Sequence, residues 1–148
     1  MSDVTNRLNN GQQATTDYDL SKIFLWMNRY ENDSYVQNSG YSTLTLKAGT
    51  LMGRIASTQG LAPVISSGIT DGSQVPVGIL AQDITVLAGQ TANDVALCIA
   101  GDVNAGKVIF LGGDSFATVI AGKSLRDHLV ANSQIILRPV TEMTDYDN

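Results

Sequence analysis

Apolar residues in this chain come in short runs rather than at helical spacing. From residue 43 onward the runs are Thr43–Leu46, Thr50–Ile55, Val64–Ile65, Val75–Leu80, Ile84–Leu87, Val95–Ala100, Val108–Leu111, Ala117–Ile120 and Ile135–Leu137. Each is of strand length, rich in β-branched side chains, and set off by Gly, Asp and Ser, which reads as a succession of β-strands. Ala-Gly pairs at 48–49, 88–89, 105–106 and 121–122 open or close such runs, and glycine there supplies the positive φ of tight turns. Gly49, Gly53, Asp71, Gly72, Gly78 and Gly101 are the expected structural turn positions, with Asp71-Gly72 the strongest hairpin signal. Pro76 has no N–H to offer a ladder and marks an edge strand or a strand start.

One helix breaks this pattern. Ser124 can cap it, Asp127 falls in its first turn, and Leu125 and Leu129 form an apolar pair four residues apart. It is expected to end near Asn132. Residues 18–41 hold Tyr18, Phe24, Trp26, Tyr30, Tyr35 and Tyr41 and fit two readings. Leu20, Ile23, Phe24 and Met27 fall at helical spacing behind a cap at Asp19 or Ser21. Lys22–Met27 equally fits a strand with Phe24 and Trp26 on one face and Ile23, Leu25 and Met27 on the other. Strand is the expectation, because everything downstream is β. Phe24 is assigned to the core, and Trp26, Tyr30 and Tyr18 to an interface, where large aromatics concentrate.

The polar positions divide the chain. Residues 1–17 are rich in Asn, Gln, Thr and Asp, with only Val4, Leu8 and Ala14 as small apolar interruptions. Such a stretch buries too little apolar surface to offset its ordering entropy, and is expected to be a flexible arm. Residues 18–140 form the domain, and 141–148 an acidic tail with Glu142, Asp145 and Asp147. The expected fold is a compact all-β barrel with one short helix and an extended N-terminal arm.

Composition narrows the function. Of 148 residues 43% are hydrophobic, enough for a core, while only 16% are charged, with a formal net charge of -5. That balance disfavours nucleic acid, which calls for a basic stripe, and anionic membranes alike. No apolar stretch approaches a signal peptide or a transmembrane helix, and a soluble protein is expected. The lone Cys98 sits in an apolar run and reads as a small buried hydrophobe.

Three near-motifs offer chemistry and fall short. Ala117–Ser124 ends like a phosphate-binding loop, but Ala117 stands where glycine is needed and the run is β-branched. Gly113-Asp114-Ser115 with Asp127 and His128 suggests a GDS-type serine esterase. Yet Asp127 and His128 are adjacent, no βαβ succession supports them, and His128 reads as a solvated surface side chain. Lys47, before Ala48-Gly49, lacks the neighbours of a lipoyl or biotinyl lysine and reads as an exposed turn residue. With one His and one Cys, a zinc site is nearly excluded, and the scattered Asp residues build no calcium loop. The expectation is a protein without catalytic residues, metal or cofactor.

What remains is a succession of glycine-marked blocks. Lys47–Ile55 carries Gly49, Thr50, Gly53 and Arg54. Asp71–Ala81 carries Gly72, Gly78, Ile79 and Leu80. Val95–Asn104 carries Gly101, and the chain closes on Leu125–Leu137. Over about residues 44–138 this order resembles the lambda-type head decoration (cement) proteins of tailed bacteriophages. The resemblance implies a β-tulip domain without enzymatic activity. It implies homotrimers on three-fold and quasi-three-fold sites of the expanded head, stabilising it against the pressure of packaged DNA. The partner is then the major capsid protein, reached by an N-terminal arm whose Thr5, Leu8, Ala14, Thr15, Thr16 and Tyr18 add a strand to it. Such a protein is made in the host cytoplasm and ends on the outer surface of the virion. A polar arm suits pairing through main-chain hydrogen bonds, and three weak arms on one trimer gain avidity. The alternatives are another virion component on the same barrel, such as a fibre or tail adaptor, and an esterase using Ser115 and His128. A carbohydrate-binding barrel is a further rival, with only Phe110 and Phe116 as aromatics between Ser42 and Tyr146.

Overall fold

Two fourteen-residue strands organise the computed structural model, which describes residues 22–139. They are β1 (Phe24–Gln37) and β7 (Thr91–Asn104), and they pair antiparallel from Phe24↔Val103 to Gln37↔Thr91. Between them in sequence lie β2 (Leu44–Leu46), β3 (Leu51–Arg54), β4 (Leu61–Pro63), β5 (Pro76–Leu80) and β6 (Ile84–Val86). After β7 come a 3₁₀ turn at Ala105–Lys107, then β8 (Val119–Ile120), β9 (Lys123–Ser124), α1 (Leu125–Asn132) and β10 (Gln134–Arg138).

The order β1-β4-β3-β5-β7 returns to β1, which closes a five-stranded mixed barrel. The expected all-β fold with one short helix is therefore present. β10 joins outside the ring, parallel to the end of β7, and β2 and β6 form a separate antiparallel pair. Closing so few strands demands sharp curvature, and bulges provide it. The β1–β7 register slips five times, with Met27 (φ 51°), Asp94 (φ 56°) and Gly101 (φ 97°) in the left-handed region.

Strands β3, β5 and β7 are buried on both faces, which is why their runs are continuous rather than alternating. Leu51, Ile79 and Cys98 share one face and pack with Val103, Leu125, Leu129, Ile135 and Leu137, so α1 and β10 cover that side. Met52, Leu80 and Leu97 look the other way and pack with Val36, Leu61, Leu46 and Val86, so the β2–β6 pair covers the second face. Helix α1 begins as its sequence suggests. The Ser124 side chain accepts from the Asp127 amide at 3.2 Å, and Leu125 and Leu129 are its buried residues.

Several expectations need correction. Asp71-Gly72 does turn, with Asp71 Oδ1 accepting from the amide and hydroxyl of Ser73. It is no hairpin, because it connects β4 to β5 and both flank β3. The two-residue hairpin is at Ala121-Gly122 between β8 and β9, both residues at positive φ as a type I′ turn requires. Of Ala117–Ile120 only Val119–Ile120 is strand. Val64–Ile65 is not a strand; β4 lies just before it and ends on Pro63, whose missing N–H costs nothing because β1 pairs with β4 only at Leu61. Val108–Leu111 makes one isolated bridge, Thr50↔Ile109, and otherwise packs as a loop. Pro76 starts a strand, but an interior one, between β3 and β7.

Gly53, Gly78 and Gly101 are not turns. They lie inside β3, β5 and β7 and serve close approach. A Cβ on Gly53 would stand 2.0 Å from the Ser73 carbonyl oxygen, and one on Gly78 would stand 2.7 Å from that of Cys98. Gly49 and Gly72 do sit in turns, at φ 101° and 104°.

Candidate interaction surface

The aromatic strand β1 is strand rather than helix, and a single extra residue decides what each aromatic faces. Phe24 pairs with Val103 of the core, whereas Trp26 pairs with Asp102. Two steps on β1 are thus matched by one on β7, and the slip turns Trp26 to the face opposite Phe24. The expectation that Phe24 and Trp26 share a face is overturned by this bulge. Phe24 packs against the α1-side cluster, while Trp26 is 52% exposed.

Gly101 makes the bulge sterically possible. A Cβ there would lie 2.6 Å from the Met27 carbonyl oxygen and 2.7 Å from Asn28 Cα. The Asn28 side-chain amide then pins the bulge, donating to the carbonyl oxygens of Ala100 at 3.3 Å and Asp102 at 3.1 Å. Met27, at the crest, is 75% exposed.

Across β7, Asp102 pairs on its other side with Ile136 of β10. Trp26, Asp102 and Ile136 therefore form one row on one face, the two apolar ends about 10 Å apart at two strand spacings. Ile136 is half-exposed, while Asp102 beneath is buried and held by Arg138 Nε at 3.3 Å. Tyr30 does not join the row. It pairs with Cys98 on the opposite face and meets Phe24 edge-on at 5.7 Å between ring centroids. Burial raises the Tyr30 phenol above its ordinary value, with the Cys98 thiol adding to the shift. Burial likewise raises the Cys98 thiol, hydrogen bonds at Ala100 and Asn28 offsetting part of the effect.

Both ends of the described chain sit beside this row. The Asn104 amide donates to the Ile23 carbonyl at 2.8 Å, and Asn104 pairs with Arg138 on its other side. Residues 22 and 139 thus leave from the same end of the barrel, on either flank of β7. The arm residues Thr5, Leu8, Ala14, Thr15, Thr16 and Tyr18, and the tail 141–148, lie outside the described residues.

The residues considered for catalysis have separate partners. The Asp114 carboxylate accepts from the Ser66 amide and hydroxyl, and Ser115 Oγ accepts from the Ala117 amide. His128 is not solvated as expected. It is half-buried, with Nε2 2.6 Å from the Ile120 carbonyl oxygen, because the β8–β9 hairpin folds back on α1. Ala117–Ser124 forms that hairpin. Lys47 is exposed and stands 3.8 Å from Asp83. Phe110 and Phe116 stack edge-on at 4.9 Å against the core. Among the described residues, no group of three or more His, Cys, Asp or Glu is placed to hold a metal ion, and no helix is long and apolar enough to cross a membrane.

Sequence reasoning singled out Trp26 and Tyr30, both exposed though on opposite faces, but missed Met27 and Ile136. The signal for Ile136 was available: in Ile135–Leu137 strand alternation must turn the middle residue away from a face shared by its neighbours. Met27 left no mark, since nothing in its type announces a positive φ. No protein-family model matches the chain, and no curated protein matches it.

Proposed function

We propose that this chain is a structural virion protein of a tailed bacteriophage, a head decoration protein of the lambda type. It binds the outer surface of the expanded capsid as a homotrimer at three-fold and quasi-three-fold sites and stabilises the head against the pressure of packaged DNA. It works by binding, without catalysis or cofactor. The observation that supports this reading is where the sequence blocks fall: Lys47–Ile55 contains β3, Asp71–Ala81 contains β5 and Val95–Asn104 contains β7, three neighbouring strands of one closed barrel. Blocks that carry the family resemblance thus form a contiguous part of the barrel.

The mechanism follows from the reading. In it the barrel is the folded body, and the segment before residue 22 supplies main-chain donors and acceptors for pairing with a capsid strand. Ordering that segment has an entropic cost, so each contact is weak, and three on one trimer bind through effective concentration.

Co-sedimentation of the purified protein with expanded, DNA-free heads of its phage, beside unexpanded proheads, tests the reading. Saturable binding to expanded heads alone is expected. Binding to neither overturns the shell assignment and turns attention to a fibre or tail adaptor.

A further inference from the structure

We propose that the outer edge of β10 is a self-association site, where a second copy of this chain adds its own β10 antiparallel across a two-fold axis. The inference goes beyond the decoration reading and does not depend on it.

The first observation is the edge itself. A ring of strands has no edge, so unpaired main-chain groups are left only where a strand lies outside the ring or overhangs its neighbour. Most of these places are blocked. β2 and β6 have three residues each, and β8 and β9 two. β4 meets β1 at Leu61 and ends on Pro63. β1, which has no strand on its outer side before Val36, is bent by five register slips and by Met27 at φ 51°, and carries Arg29, Glu31 and Asp33. β10 has none of these devices. Its five residues run in unbroken register along β7, with Ile135 and Ile136 β-branched and neither Pro nor Gly among them. No strand among the described residues lies on its other side. Alternate residues turn their N–H and C=O outward there, and of the β10 amides that of Ile135 reaches the Ser133 hydroxyl at 3.3 Å. A row of main-chain groups about 17 Å long is matched by another strand.

The residues of the edge select the occupant. In an isologous contact two copies of one strand run antiparallel, with one residue on the axis. With Ile136 on the axis all five residues pair. Gln134 then meets Arg138 of the second copy, Ile135 meets its Leu137, and Pro139 falls at the rim. Centring on Arg138 opposes two arginines, and centring on Leu137 brings Pro139 into the ladder opposite Ile135. In the favoured register no like charges meet, and Arg138 is already neutralised by Asp102 at 3.3 Å.

Both faces beside the edge also carry uncovered apolar surface. Ile136 is half-exposed on one. On the other, α1 packs over β5 and β10, and its Asn132 side-chain amide donates to the Pro76 carbonyl oxygen of β5 at 3.1 Å. Two residues along a helix are about 160° apart around it. Val130, also half-exposed, therefore faces away from β5, on the β10 flank. A second β10 brings its own Ile136 and Val130 with it, so a second copy covers on each face what one chain leaves open.

The test puts like charges on the axis. Sedimentation equilibrium of the full chain from about 10 µM to 1 mM, in about 50 mM salt, is expected to show the mass doubling with concentration. The upper range is needed because five paired residues bury less than a standard interface. Ile136→Lys and Ile136→Glu each set two like charges opposite one another and are expected to weaken association at least about tenfold, whereas their equimolar mixture regains it. If other contacts make the chain trimeric, the same comparison reads six copies against three. Thermal unfolding checks that both variants fold. Should either fail, amide exchange of the parent decides: β10 amides are expected to exchange more slowly in concentrated than in dilute protein, and equal rates overturn the proposal. A parent whose mass does not double, variants that associate like the parent, or a mixture no stronger than its components overturns this inference and leaves the decoration reading standing. Failure of the parent to bind heads overturns that reading alone.

Discussion

One face of β7 has two halves that the protein treats in opposite ways. Around Val95 and Leu97 the face is closed by the protein's own chain, with Val36, Leu46, Leu61 and Val86 packed on it. Around Asp102 and Asn104 the buried residues are polar, and the apolar ones beside them, Trp26 and Ile136, are half in water. The same strand, pleat and face thus build a hydrophobic core at one end and an open row at the other. The bulge opposite Gly101 lies between them. By slipping the register it takes Trp26 off the α1 face, where Phe24 remains, and commits a large aromatic to the surface. Burial drives folding at the first half. The second leaves apolar area unburied by the described chain.

The most severe way to break the contrast is to remove the bulge. Gly101→Ala puts a Cβ 2.6–2.7 Å from three backbone atoms of residues 26–28 and forces a non-glycine residue to φ near 97°. Left-handed strain and overpacking together should cost about 3–5 kcal/mol, read from the urea midpoint. A variant that unfolds at the parent's midpoint would mean that the bulge can move at no cost and that Trp26 is not held where it is. The next effect compares the halves directly. Leu97→Ala should cost about 2–5 kcal/mol, as for a fully buried leucine, whereas Ile136→Ala should cost about 1 kcal/mol because half of its surface already meets water. Equal losses measured on dilute protein would show that the open half is covered in solution.

How much of this was legible in the residues depends on which contacts set each feature. Strands β3, β5 and β7 could be read because burial on both faces leaves unbroken apolar runs between glycines, and α1 because Ser124 and Asp127 carry their capping geometry in the sequence. Strand β4 was hidden by Pro63, which looks like a breaker until its unpartnered flank is known. Val108–Leu111 has strand composition but no strand beside it to complete a ladder. Gly53, Gly78 and Gly101 announced that a side chain could not fit, but not that the obstacle was a neighbouring strand rather than a turn. The site was half legible. Trp26 was marked for exposure and Phe24 for the core, yet the slip separating them depends on long-range pairing with β7. Ile136 became a partner of Trp26 only through Asp102.

A smaller effect concerns the helix that covers the α1 face. Ser124→Ala removes the acceptor for the Asp127 amide and should lower stability by about 1 kcal/mol, a fall of roughly 3–5 °C in Tm.

The smallest effect lies where the two halves meet, on the face opposite the open row. Cys98 and Tyr30 both have raised pKa values, caused first by burial, so the fold prefers their neutral, protonated forms. Their contribution is fully present below the unfolded values of 9.0 for the thiol and 10.0 for the phenol, and is lost as pH rises through the folded values. The urea midpoint should therefore fall between pH 8 and pH 10.5. Cys98→Ala should start lower, from the space it leaves, but decline less steeply over the first part of that range. A parallel decline would exclude the thiol as a source of the alkaline loss. A thiol reagent offers an independent reading: Cys98 should react slowly in folded protein at pH 8 and quickly in urea, because it is fully buried in the part of β7 that is packed on both faces.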